Sequence, residues 1–226
     1  MVRLPNYEIQ TLFRRWLCTH INKHMDGRLR RKGAAMFLSA ISGSMASFSE
    51  EFGKLIFNTI PGQFLSNKEV VYQAYVCAFF TAASQALQVI PRWEIEVECR
   101  AGSGCLDLII QHMANRHGSI QEYKRVWPSA KEKGGGYGDS QRTRLTKAAS
   151  KAIVELDARS YRGRIRDHVT ELREYGVAFL GPYCAVEARL IKRKPGGQWE
   201  VKELYTADQD EARREQLYGV APGPSG

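Results

Sequence analysis

The sequence predicts a three-layer α/β domain, a central mixed β-sheet flanked by helices, with an N-terminal helical extension. Three observations predict it. Apolar residues recur at helical spacing up to Val89; from Pro91 the period changes to two; and an amphipathic segment over 141–158 separates the first strands from a later group. Strands buried on both faces need helices as cover, so the order helix, three strands, helix, further strands implies α/β layering.

Ile9, Leu12, Phe13, Trp16 and Leu17 lie on one stripe of a helix over Glu8–Lys23, with Asn6 in position to cap it. The basic patch Arg28, Arg30, Arg31 and Lys32 leads into a pair of helices over Gly33–Asn58. Pro61-Gly62 breaks the chain, and Ser66 or Asn67 caps a longer helix over Lys68–Val89 carrying Val70, Val71, Tyr75, Phe79 and Ala82. Trp93, Ile95 and Val97 then alternate with Glu94, Glu96 and Glu98, a strand with one apolar and one acidic face. Gly102-Ser-Gly104 turns into a strand over Cys105–Gln111, and Ala114–Gly118 turns into a third over Ser119–Val126.

Residues 128–141, rich in glycine and polar groups, read as a loop. Gly134-Gly-Gly-Tyr-Gly138 lacks the phosphate-loop pattern and reads as a flap over a cleft. Leu145, Ala149, Ala152, Ile153 and Leu156 line a helix over Gln141–Ala158, and Tyr161–Arg173 is expected to continue helically after a break. Gly176–Gly181, Ala185–Lys192 and Trp199–Tyr205 read as strands, and the charged chain after Ala207 as a frayed tail. The division expected is a helical extension over 1–62, a core domain over 63–207 and a flexible tail over 208–226.

The chain has 226 residues, 43% hydrophobic, with a formal net charge of +9. That composition is globular rather than disordered, and the basic balance suits a polyanionic partner such as nucleic acid. Five scattered cysteines without a CxxC pair argue against a disulfide framework and a zinc site and suit a reducing compartment. MVRLPNYEIQ has no apolar signal core and no early stretch spans a bilayer, so an intracellular location, neither secreted nor membrane-bound, is expected.

The chemistry concentrates in Glu98-Cys-Arg-Ala-Gly-Ser-Gly-Cys-Leu-Asp107 and Glu122-Tyr-Lys124. Asp107 interrupts the apolar run Leu106, Leu108, Ile109, Ile110, where an unpaired charge costs several kcal/mol. Glu122 and Lys124, two apart on a strand, share a face. A hairpin midpoint near Asn115 sets Asp107 across from Glu122, while one nearer His117 shifts that register. An acid in an apolar strand beside an acid–lysine pair is the set a divalent-metal phosphodiesterase needs.

These motifs, with Leu4-Pro-Asn-Tyr-Glu-Ile9 and Gly176-Val-Ala-Phe179, resemble the PD-(D/E)XK nuclease superfamily, in particular its branch often found C-terminal to an AAA-type ATPase-like domain. The resemblance covers roughly residues 1–10 and 67–192. It implies a restriction-endonuclease-like fold and Mg²⁺- or Mn²⁺-dependent hydrolysis of nucleic acid, DNA in preference to RNA, with a separate ATPase-like chain as a candidate partner. It assigns Asp107, Glu122 and Lys124 to catalysis. Asp107, Glu122, the Tyr123 carbonyl and Glu98 would hold metal, with Lys124 polarising or deprotonating the attacking water or stabilising the phosphorane. A lysine of lowered pKa would suit the deprotonating role. Tyr161 stands where the family's tyrosine is expected. Arg142, Arg144 and Lys147, on the helix ahead of it, are candidates for the phosphate backbone. Ser103 and Cys105 replace two family arginines, and Glu155 a glutamine. Those departures favour the alternative of a nuclease-fold module that binds nucleic acid or regulates a partner without cleaving.

Overall fold

The computed structural model describes residues 27–60, 69–86, 93–101, 104–112, 114–128 and 137–219, together with Thr19 and Lys23. Most of the expected helix Glu8–Lys23, the Leu4-Pro-Asn motif, Ser103 and most of the glycine-rich loop lie outside the described residues. The elements are α1 (Gly27–Ser42), α2 (Met45–Thr59), α3 (Glu69–Ala86), β1 (Trp93–Ala101), β2 (Gly104–His112), β3 (His117–Arg125), α4 (Asp139–Ala158), β4 (Glu171–Leu180), β5 (Tyr183–Arg193), β6 (Trp199–Tyr205) and α5 (Glu211–Tyr218). Among the described residues no helix is long and apolar enough to cross a membrane.

The six strands form one sheet in sequence order, β3 and β4 running parallel and every other neighbour antiparallel. A parallel pair needs a long crossover, which α4 supplies between β3 and β4. Alternation then divides the core. Leu108, Ile110, Tyr123, Tyr175, Val177 and Phe179 pack on α1–α3, while Ile120, Leu172, Ala178 and Leu180 face α4 or the segment after it. β4, central and covered on both sides, is buried from Leu172 to Leu180. Burying the rings of Phe37, Phe48, Phe52, Tyr72, Phe79 and Phe80 ties the early helices into the same core as the sheet.

Ser44 caps α2 by accepting from the Ser47 amide at 3.4 Å. Arg173 of β4 donates to the Gly43 carbonyl at 2.9 Å and the Ile41 carbonyl at 2.5 Å, so a buried cation closes the C-terminal end of α1.

Three expectations are corrected. The first of the two helices expected over Gly33–Asn58 starts at Gly27 and absorbs the basic patch. Residues 161–173 do not continue as helix. Ser160 takes left-handed backbone, φ 53°, and ends α4. Tyr161–Arg164 makes one 3-10 turn, and Glu171–Glu174 enter the parallel ladder against His117–Ile120. Non-local pairing thus overrides the helical propensity of Glu-Leu-Arg-Glu. The third concerns the tail. Glu211–Tyr218 forms α5, whose Arg214 and Tyr218 are buried, because Asp210 and Glu211 offset the charges of Arg213 and Arg214.

Candidate active site at the β2–β3–α4 junction

Asp107 and Glu122 enter from neighbouring strands. The β2–β3 ladder pairs Ile109 with Ile120 and Leu108 with Gln121, so the next step aligns Asp107 with Glu122, as a midpoint near Asn115 requires. The side chains part company there. Leu106 belongs to the cluster on the α4 face and Leu108 to the opposite one, so alternation reverses across Asp107. The Asp107 carboxylate accepts the Tyr123 amide at 2.6 Å and the Gln73 side-chain amide of α3 at 2.6 Å. Those two bonds make burial of this carboxylate tolerable.

Glu122 is buried, 2% exposed, on the α4 side. One oxygen accepts from Lys124 Nζ at 2.8 Å, and the other, Oε2, is buried without a hydrogen-bond partner. Lys124 lies between two acids, its Nζ also 3.0 Å from Glu155 Oε2. Arg159 approaches the same Glu155 oxygen at 3.2 Å and donates to the Tyr161 hydroxyl at 3.0 Å. Two acids and two bases thus interleave around one unpartnered oxygen, with buried Tyr161 as their floor.

Burial pushes the Glu122 carboxyl up, Glu155 adds to that, and Lys124 and Arg159 oppose it. Burial alone would lower the Lys124 ammonium, but Glu122 and Glu155 together override it and raise its pKa above the ordinary lysine value. Lys124 is therefore held as a cation between its two acids. Glu155, despite burial, is kept below the ordinary carboxylate value by Lys124, Arg159 and Lys151.

Among the described residues no three histidine, cysteine or acidic groups converge to hold an ion. Mg²⁺ asks for less, one or two carboxylates completed by water and substrate oxygens. The buried, unpartnered Oε2 of Glu122 fits that demand. Asp107 would join it by releasing Gln73. Glu98 is placed through its backbone, between Val97 and Cys99, whose partners Leu108 and Leu106 flank Asp107.

Arg142 pairs with Glu215 at 2.5 Å and Glu211 at 3.4 Å, binding α4 to α5. Arg144 donates to the Trp127 carbonyl, and Lys147 is exposed on α4. Gln73 and Arg159 escape motif reading. Arg159 follows Glu155 at the i, i+4 spacing of one helix face, which is the sequence signal that finds it; Gln73 has none.

Gly176 explains how α4 gets close enough. It pairs with Glu122 across the parallel ladder, and a Cβ there would sit 2.4 Å from the Ala149 carbonyl oxygen and 2.8 Å from the Ile153 amide. Helix backbone cannot yield as a side chain can. Gly176→Ala is expected to lower stability by about 1–3 kcal/mol and to lift Glu155 off Lys124. Urea unfolding checks the first effect, and the Glu155 side-chain shift in NMR the second.

The chain matches no known protein-family model, curated protein or solved structure.

Proposed function

We propose that this protein is a metal-dependent nuclease of PD-(D/E)XK type that hydrolyses phosphodiester bonds in nucleic acid, DNA in preference to RNA. The observation that carries the reading is Glu122, a buried carboxylate with one oxygen held by a lysine and the other unpartnered. A fold gains nothing from such an oxygen, since it costs about 1–3 kcal/mol to leave it unsatisfied. The succession α3, β1–β2–β3, α4, β4, with β3 parallel to β4, supports the same reading, being the order in which the resembling motifs occur.

A bound Mg²⁺ or Mn²⁺ would polarise the phosphate and supply a nucleophilic water near neutral pH. Glu122, with Asp107 and the Tyr123 carbonyl, would hold it. Lys124, kept protonated and flanked by Glu155, would meet charge developing on the phosphate oxygens. Arg159 fixes Glu155 on one side and Tyr161 on the other, and so positions Lys124 without touching the reacting atoms.

The engagement of both Asp107 oxygens favours the second reading, a nucleic-acid-binding or regulatory module without catalysis. Incubation with plasmid and single-stranded DNA in Mg²⁺, Mn²⁺ or EDTA separates them. Cleavage that needs the metal and vanishes in Asp107→Ala supports the nuclease; retention of DNA without cleavage in either metal supports the module.

A further inference from the structure

Among the described residues four acids are buried, and they are held in different ways. Glu174 takes Arg162 and Arg189, and Asp210 takes Arg213 and Arg214, guanidinium groups whose charge is permanent. Glu122 takes Lys124 on one oxygen only. Asp107 is met at 2.6 Å by two neutral donors, the Tyr123 amide and the Gln73 side chain. A neutral donor matters where a cation is to enter. Displacing an arginine leaves a buried charge unpaired, whereas displacing an amide loses a hydrogen bond and no counter-charge.

Gln73 is held firmly in that place. It is 7% exposed on α3, beside Tyr72, whose hydroxyl donates to the Gly181 carbonyl at 2.9 Å, and near Tyr75, whose hydroxyl lies 2.6 Å from Thr59 Oγ1. Those contacts fix α3 to the turn between β4 and β5 and to α2. The other buried residues of α3, from Tyr72 to Ala83, are apolar or tyrosine, so a single amide is set among them and aimed at Asp107. The second carboxylate is close by. Burial raises the pKa of the Tyr161 hydroxyl, and Glu122 and Asp107 both add to that, so both acids reach one point although their side chains leave the sheet differently. Glu122 keeps an oxygen open there, while Asp107 is closed by Gln73.

We propose that Gln73 is a latch on the metal site: it holds Asp107 back from the ion that Glu122 receives, and it must let go for the second carboxylate to bind. Metal affinity is thereby set from α3, a helix outside the strands that carry the acids. The inference rests on the proposed nuclease reading, from which it takes the metal. A hydrogen bond to a charged group, given up on binding, lowers an ion's affinity roughly 10- to 100-fold.

The test adds Mg²⁺ to the unaltered protein, isotope-labelled, and follows the Gln73 side-chain amide by NMR. Its resonances are expected to move in proportion to the metal bound. Calorimetry with Mn²⁺ supplies a second readout. Gln73→Met, similar in length and unable to donate, is expected to bind Mn²⁺ roughly 10- to 100-fold more tightly than the unaltered protein, and to lose that gain when Asp107→Asn is added. A Gln73 amide unmoved at saturating Mg²⁺ overturns the proposal, as does Mn²⁺ affinity in Gln73→Met equal to or below that of the unaltered protein. If Gln73→Met does not fold, the amide resonances of the unaltered protein decide. The two readings fail separately. Metal-dependent cleavage with Gln73 undisturbed by the metal removes the latch and leaves the nuclease. Metal-driven release of Gln73 without cleavage of any DNA removes the nuclease and leaves the latch, and absence of binding by either metal removes both.

Discussion

Asp210→Ala is expected to destabilise the protein by about 3–5 kcal/mol, the cost of removing one partner from a buried ion pair. Asp210 is fully buried and receives six groups from four parts of the chain. Its Oδ1 accepts from Ser49 of α2, from the Tyr205 hydroxyl at 2.9 Å and from Arg213 Nε at 2.8 Å. Its Oδ2 accepts from the Val186 amide of β5 at 3.1 Å and from Arg213 Nη2 at 2.8 Å, with Arg214 Nε 3.4 Å away. Arg214 is also fully buried; it keeps Thr146, the Ala207 carbonyl and Glu211, but loses its deepest counter-charge. Against a total stability of about 5–15 kcal/mol, the loss is large enough to leave part of the protein unfolded at 37 °C.

The same residue gives a pH signature. Burial pushes the Asp210 carboxyl up, but Arg213, Ser49 and Arg214 override it and hold it below the ordinary aspartate value. A folded-state pKa below the unfolded one contributes stability that is present above the unfolded value of about 3.9 and lost as pH falls through the folded value. Urea unfolding from about pH 7 to about pH 3 is expected to show stability falling toward the acid end, with a shallower fall in Asp210→Ala.

Lys124→Ala is expected to lower the cleavage rate about 10²- to 10³-fold, the scale of removing one preorganised donor from a developing oxyanion. Lys124 lies outside the apolar clusters, but its loss leaves the buried Glu122 carboxylate without its ion-pair partner, so an unfolding curve of the variant accompanies the rate measurement. The pH dependence separates the roles a lysine can take. Because its two acid partners keep Lys124 protonated, the loss should be the same factor from about pH 6 to about pH 9. A general base would show a loss that grows with pH as more of the amine becomes available. Lys124→Arg should recover little, since a planar guanidinium cannot occupy the point between Glu122 and Glu155.

Local periodicity made most of the fold legible. Trp93 and Ile95 face the core while Glu94 and Glu96 meet Arg166 and Arg164, as alternation in β1 requires. Hairpin length left two registers open for Asp107 and Glu122, and the observed ladder, Leu108 with Gln121, agrees with the midpoint near Asn115. What stayed hidden depends on distant chain. Glu171–Glu174 resembles helix until its parallel partner on β3 is known. Arg213 and Arg214 look like solvated charges until Asp210 is placed beside them. At the site, Glu122 and Lys124 were legible as a same-face pair, but the reversal at Asp107 was not, because it answers to Gln73 on a helix 34 positions earlier. The raised pKa of Lys124 needed Glu155 as well, brought within reach only because Gly176 admits α4 so closely.

Calorimetric titration of Mn²⁺ into the unaltered protein and into Glu122→Gln tests most directly whether the unpartnered oxygen is kept for a metal. The amide keeps the shape of the buried side chain and removes the charge that burial resists, so its unfolding free energy should be unchanged or higher by about 1 kcal/mol. The account predicts a Mn²⁺ site in the unaltered protein that weakens by about tenfold or more in this equally stable variant. Equal Mn²⁺ affinity in the two proteins, or no binding to either at millimolar metal, would contradict it.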